Sequence, residues 1–173
     1  MPQNLIIMPA SDQSVSRDRY MLIPRVLIFI TRGTSVLLLK GAPTKHLWPE
    51  IYNGIGGHVE PGEDVLSAAR RELLEETGLT ADLWLCGTVA VDTGENPGVG
   101  IYLFTGEYTE GQARPSAEGT LEWVPFSEVS RLDIVEDLPV LLDHIRKMKP
   151  GSPPFSARSY YDERGKLIVK FAS

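Results

Sequence analysis

Residues 57–79 read GHVEPGEDVLSAARRELLEETGL, a helix enclosed between glycine-bearing turns. The pattern predicts a helix over residues 64–77. Glu63 or Asp64 caps its start, and Gly78 lies just past its end, where glycine closes helices. Glu72, Glu75 and Glu76 stand at i, i+3 and i+4. At about 100° per residue, all three share roughly a 100° arc. Val65, Leu66, Ala69, Leu73 and Thr77 fall on an adjoining arc, the predicted buried stripe. The three carboxylates are therefore expected at the edge of a core rather than far out in solvent.

That placement is unfavourable without a ligand. Like charges at these spacings cost a helix about a few tenths of a kcal/mol per pair. They also lie toward the helix C-terminus, the end that disfavours anions. A bound cation offsets both penalties, and converging hard oxygen ligands suit Mg²⁺ or Mn²⁺. Three glutamates alone read more readily as a solvated acidic face. The glycines in front favour a site instead: Gly54, Gly56 and Gly57 let backbone approach a ligand and present open carbonyls.

Outward from this segment, residues 20–31 are β-branched and apolar and predict a buried strand, with Pro24 marking a bulge or the true strand start. A turn at 32–34 leads into a returning strand at 35–40. Residues 41–53 are expected to be a loop carrying Trp48, Pro49 and Tyr52, and residues 54–57 a glycine bend. Strands are expected at 80–92, 99–109 and 121–124, a short helix or turn at 126–132, and a second helix at 137–147 that Pro150, Pro153 and Pro154 stop. The tail over 157–171 reads as a hairpin turning at 162–165. Strands before and after each of two helices predict an α+β fold, an α/β/α sandwich with a mixed β-sheet between helices. Residues 1–19 are expected to form a loose arm, residues 20–148 the main domain, and residues 149–173 a C-terminal hairpin extension of it. The hairpin either completes the sheet edge or pairs with a second subunit in a homodimer.

Composition narrows the function. The chain has 173 residues, 42% hydrophobic and 23% charged, with a formal net charge of -6. These are the proportions of a globular domain with a full-sized core. The acidic balance argues against long nucleic acid as a partner. A metal ion can still reconcile it with a phosphorylated small molecule. The single cysteine, Cys86, forms no intramolecular disulfide and reads as a small buried apolar residue. The N-terminal residues lack a basic start followed by an apolar run, and no stretch approaches the roughly 20 apolar residues of a membrane span. The expected location is the cytoplasm.

Gly57, five residues, Glu63, seven residues, then Arg71-Glu72-Leu73-Leu74-Glu75-Glu76-Thr77-Gly78-Leu79 resembles the Nudix box at every defined position. The order of strands and helices over residues 20–148 is similar to a whole Nudix domain. The resemblance implies a Mg²⁺-dependent hydrolase, with Mn²⁺ as a substitute, that splits the diphosphate bond of a nucleoside polyphosphate. By position it implies that Glu72 and Glu76 bind metal, and that Glu75 is a ligand or handles the attacking water. It implies that Gly56 offers a backbone carbonyl, and that Arg71 orients a carboxylate, with Glu75 within i→i+4 reach. Glu63 supports the loop and helix. Glu118, ahead of a strand that looks like the family's, is the candidate for a further acid outside the box.

The stretch around Asn53 and His58 is similar to MutT-like nucleoside triphosphate pyrophosphohydrolases, including those that remove oxidised purine nucleotides. Asn53 is a candidate for binding the base, with a turn role equally open. His58 stands where many such relatives have lysine, a departure that removes a permanent positive charge near phosphate. Trp48, Tyr52 and Trp123 are candidates to stack on a base, with core packing as the alternative. ADP-ribose and dinucleoside polyphosphates are the alternative substrates. A non-catalytic nucleotide-sensing module is the alternative outside enzymes.

Overall fold

The sheet is organised by a strand that changes partners. The computed structural model describes residues 16, 18–44, 46, 49–114 and 116–172. Among these the elements run β1 (Leu22–Arg32), β2 (Ser35–Gly41), β3 (Tyr52–Asn53), β4 (Ile55–His58), α1 (Val65–Thr77), β5 (Trp84–Val91), β6 (Gly98–Glu107), β7 (Gly119–Pro125), α2 (Leu138–Ile145), β8 (Phe155–Tyr161) and β9 (Leu167–Phe171). The main strand order is β3-β2-β1-β6-β5-β8-β9, with β7 on β2 and β4 on β1. The β1·β6 and β5·β8 pairs are parallel and the others antiparallel, so the sheet is mixed.

β1 and β2 meet only beside their turn, where Thr31 faces Val36 and Arg32 faces Ser35. Beyond it they part. Residues 52–58 fill the opening: β3 pairs with β2 and β4 pairs with β1. Gly54 sits where the chain crosses from one partner to the other. A Cβ there would lie 2.8 Å from both Leu27 Cδ1 and Phe29 Cε1, so only bare backbone fits. The expected glycine bend is thus a strand over Ile55–His58. Glycine is a poor strand former, but the ladder offered by β1 outweighs that preference. The expected bulge at Pro24 is also absent: β1 keeps register with β6 from Leu22↔Gly98 through Pro24↔Gly100. Pro24 turns its carbonyl to the N–H of Val59, just past the end of β4, so the missing amide hydrogen interrupts no rung of the ladder.

Each face of the sheet carries its own core. Val26, Ile28, Ile30 and Leu37 pack against Ala68, Ala69 and Leu73 of α1. Phe29, Val36, Leu38 and Leu103 pack against Leu138, Leu141, Leu142 and Ile145 of α2. Each Val, Leu, Ile or Phe side chain taken from water contributes about 1.5–3 kcal/mol. This is the expected α/β/α arrangement. The C-terminal hairpin extends it, with β8 lying parallel to β5. His144 of α2 stacks on Phe171 of β9, centroids 4.7 Å apart. Cys86 is fully buried, and its surroundings push the thiol up to about 12 by desolvation. Among the described residues no helix is long and apolar enough to cross a membrane.

Candidate active site

Asp64 is the cap of α1. Its carboxylate accepts from the N–H groups of Leu66 and Ser67 and from the Ser67 hydroxyl, contacts that hold it below the usual carboxylate range. Gly78 closes the helix in the left-handed region at φ 72°, donating its N–H to Leu74. The buried residues are Ala68, Ala69, Leu73, Glu76 and Thr77. The covered side is therefore turned from the expected stripe: Val65 and Leu66 are half-buried, and Glu76 joins the interior at 9% exposure.

α1 lies against β4, and the two are fitted through glycine. A Cβ on Gly57 would come within 2.3 Å of Glu72 Oε1. The N–H of Gly56 donates to Glu76 Oε2 at 3.3 Å. Carboxylates one helical turn apart are thus held against one strand, Glu72 with 13% of its side chain exposed. Arg71 organises the rim. It donates through Nε and Nη2 to Glu63 at 2.7 and 3.0 Å, through Nη1 to Glu72 at 2.8 Å and to Glu75 at 3.2 Å, and through Nη2 to the His58 carbonyl at 3.0 Å. The expected Arg71–Glu75 contact is present but is the longest of these. The two-pronged partner is Glu63, which also accepts from the Glu60 N–H at 3.1 Å. Arg71 holds the Glu63 carboxyl below the usual range, and Glu63, followed by Glu72, raises the pKa of Arg71.

The arrangement brings together Gly56, Arg71, Glu72, Glu75, Glu76 and the backbone of His58. The other candidates make the following contacts. Asn53 Oδ1 accepts from the Gly54 N–H at 2.8 Å, a local turn contact within the strand. Tyr52 is buried in the α2-side core, and its hydroxyl donates to Glu122 at 2.7 Å. Burial and then Glu122 push that phenol up to about 12. Trp123 is on the α1 side, with the Arg32 guanidinium 4.3 Å over its ring and Tyr108 edge-on at 5.4 Å. Glu118 is exposed in the turn before β7, and its carbonyl accepts from Ala42. Trp48 lies outside the described residues. Sequence reasoning missed the Tyr52–Glu122 pair, because 70 residues separate its members.

The side chains here offer oxygens, three carboxylates (Glu63, Glu72 and Glu75) around the Arg71 guanidinium and Glu76 beside Gly56, a set that fits a hard divalent cation. Among the described residues no three acidic, His or Cys side chains enclose a common point as they stand. Glu72 and Glu75 are both paired with Arg71. The side chain of Glu75 is 60% exposed and has room to turn.

A family model for the NUDIX domain matches residues 21–145. The chain belongs to the NUDIX domain family. It is a Nudix hydrolase, an enzyme class that uses divalent metals and acts on small nucleotides. Among its relatives, the oxidized purine nucleoside triphosphate hydrolase of Danio rerio is 38% identical over 116 residues, 63% of this chain and 73% of that protein. The Mus musculus protein of the same name is 31% identical over 113 residues, 64% of this chain and 71% of its own length. The Nudix fold recurs in the MutT protein from Bacillus halodurans, with a TM-score of 0.72 and 24% identity over 87% of this chain and 97% of that one.

Proposed function

We propose that this Nudix hydrolase splits purine nucleoside triphosphates, oxidised purines included, into the nucleoside monophosphate and pyrophosphate with Mg²⁺. The observation that carries the reading is the seating of Glu72 and Glu76 against the side-chain-free strand at Gly56 and Gly57. The names of the two vertebrate relatives support the substrate class. Glu72, Glu76 and the Gly56 carbonyl would hold the cation, with Mn²⁺ as a substitute. When bound there, the cation screens the diphosphate oxygens and acidifies water. Glu75 turns from Arg71 and takes the proton of the attacking water. Arg71 stays charged, anchored by Glu63, and keeps Glu72 from swinging into solvent. The bond broken is a phosphorus–oxygen bond by in-line displacement, and no protein nucleophile is required.

The test is steady-state hydrolysis of normal and oxidised dNTPs and NTPs, ADP-ribose and dinucleoside polyphosphates, side by side, with Mg²⁺. Monophosphate and pyrophosphate from purine triphosphates, abolished in Glu76→Gln, are expected. Exclusive cleavage of ADP-ribose or dinucleotides would overturn the substrate class. A flat panel would leave a nucleotide-sensing role.

A further inference from the structure

The end of α1 that carries Glu76 is held from outside the helix. The chain leaving β6 folds across it as a strap over residues 108–114. Tyr108 begins the strap. Its N–H donates to the Thr31 carbonyl at 2.8 Å, and its hydroxyl donates to the Gly111 carbonyl. Its ring lies edge-on to Trp123, and the Arg32 guanidinium sits over both rings, 4.3 Å from Trp123 and 5.7 Å from Tyr108. Gly111, at φ 110°, passes so near the helix end that a Cβ there would stand 3.1 Å from Leu79 Cδ2. Ala113 packs on the α1-side core that holds Leu79 and Leu83. Arg114 completes the strap, donating its N–H to the Thr77 carbonyl at 2.9 Å.

Thr77 is a firm point of attachment. It is fully buried, and its hydroxyl donates to the Leu73 carbonyl at 2.6 Å and accepts from the Leu79 N–H at 3.0 Å. Carbonyls in the last turn of a helix lack partners within it, so that turn frays first. Arg114 supplies the missing partner to Thr77. Glu76 directly precedes Thr77, and its carboxylate receives the Gly56 N–H at 3.3 Å. That bond is at the long end of the normal range, so a small shift of the last turn breaks it.

We propose that this strap is a positioning element of the active site. Tyr108, closed onto Gly111 and clamped by Arg32 and Trp123, fixes the last turn of α1 and thereby sets Glu76 against Gly56. This rests on the reading above in which Glu76 holds the cation. The test uses the full chain. Tyr108→Phe keeps the ring and deletes the bond to Gly111, and Arg32→Met keeps the bulk and deletes the charge. Tyr161→Phe, on an exposed tyrosine at the end of β8, is the control. Hydrogen exchange at the Arg114 amide should quicken about 3- to 10-fold in Tyr108→Phe and about 2- to 5-fold in Arg32→Met. Calorimetric Mn²⁺ affinity, measured without nucleotide, should fall about threefold in Tyr108→Phe, and saturating metal should restore kcat. Glu76→Gln should lose far more Mn²⁺ affinity and should not recover. Unchanged exchange at Arg114, or the same losses in Tyr161→Phe, would overturn the proposal. So would faster exchange with wild-type Mn²⁺ affinity, the mark of a strap that only adds stability. Wild-type Mn²⁺ affinity in Glu76→Gln would instead sink the reading of Glu76, and this inference with it.

Discussion

The two helices cover opposite faces of one sheet but are built on different terms. α2 buries Leu138, Leu141, Leu142 and Ile145, an apolar set. α1 buries Ala68, Ala69 and Leu73 together with Glu76 and Thr77, and holds three glutamates within two turns. Its small alanines let it lie close to the sheet, which is what brings Glu72 against Gly57. The contrast separates scaffold from chemistry. α2 adds stability through area removed from water, whereas α1 gives up part of that gain to keep like charges at a partly buried edge.

Substitutions on each helix should therefore fail in opposite ways. The largest effect is expected for Glu76→Gln, which keeps the shape and removes the charge. Its rate of pyrophosphate release should fall about a thousandfold, while calorimetry should show a melting temperature equal to or above that of wild type. A large drop in melting temperature would mean that α1 is structural in the same sense as α2. Leu141→Ala should do the reverse. Urea denaturation should show a loss of about 2–5 kcal/mol, with unchanged specific activity in the folded fraction. A loss of kcat without a loss of stability would show that the two faces are coupled.

Two smaller effects concern titration at the helix starts. Asp137 precedes α2 without a side-chain cap bond, and burial raises its pKa. A raised carboxyl pKa means that the folded state holds its proton more tightly. Stability should then fall as pH rises from about 3.9 through the folded value. Asp137→Asn should raise the melting temperature by a few degrees near neutral pH, with the gain vanishing in acid. Glu63, before α1, is the opposite case, because Arg71 lowers its pKa. Its contribution is complete above about pH 4.3 and is lost as pH falls through the folded value. Melting curves of Glu63→Gln should run parallel to wild type in strong acid and diverge below it toward neutrality. Curves that coincide throughout would remove Glu63 from the support of Arg71.

Much of this division was legible in the chain itself. The cap at Glu63 or Asp64, the stop at Gly78, the apolar spacing of α2 and the hairpin turn at 162–165 are local signals, and local signals survive folding. The box spacing located the carboxylates because i, i+3 and i+4 geometry is fixed by the helix. What was not legible depended on partners distant in sequence. GIGG reads as a bend because glycine disfavours strands, yet β1 supplies the ladder and the side chains of Leu27 and Phe29 exclude a Cβ at Gly54. Glu63 reaches Arg71 because the turn before α1 folds back on the helix, a distance of 8 residues in sequence. The placing of Arg32, from the β1–β2 hairpin, over the ring of Trp123 likewise joins residues distant in sequence.

The change of partners within residues 52–58 has a consequence for motion. One short segment is stitched to both diverging strands, so it cannot shift without unzipping the middle of the sheet. Amide protons at Ile55 and Gly57 should therefore exchange with deuterium only when the whole domain opens. The strand against which Glu72 and Glu76 lie is then as unyielding as the hydrophobic interior, and freedom to move is left to the side chains around it.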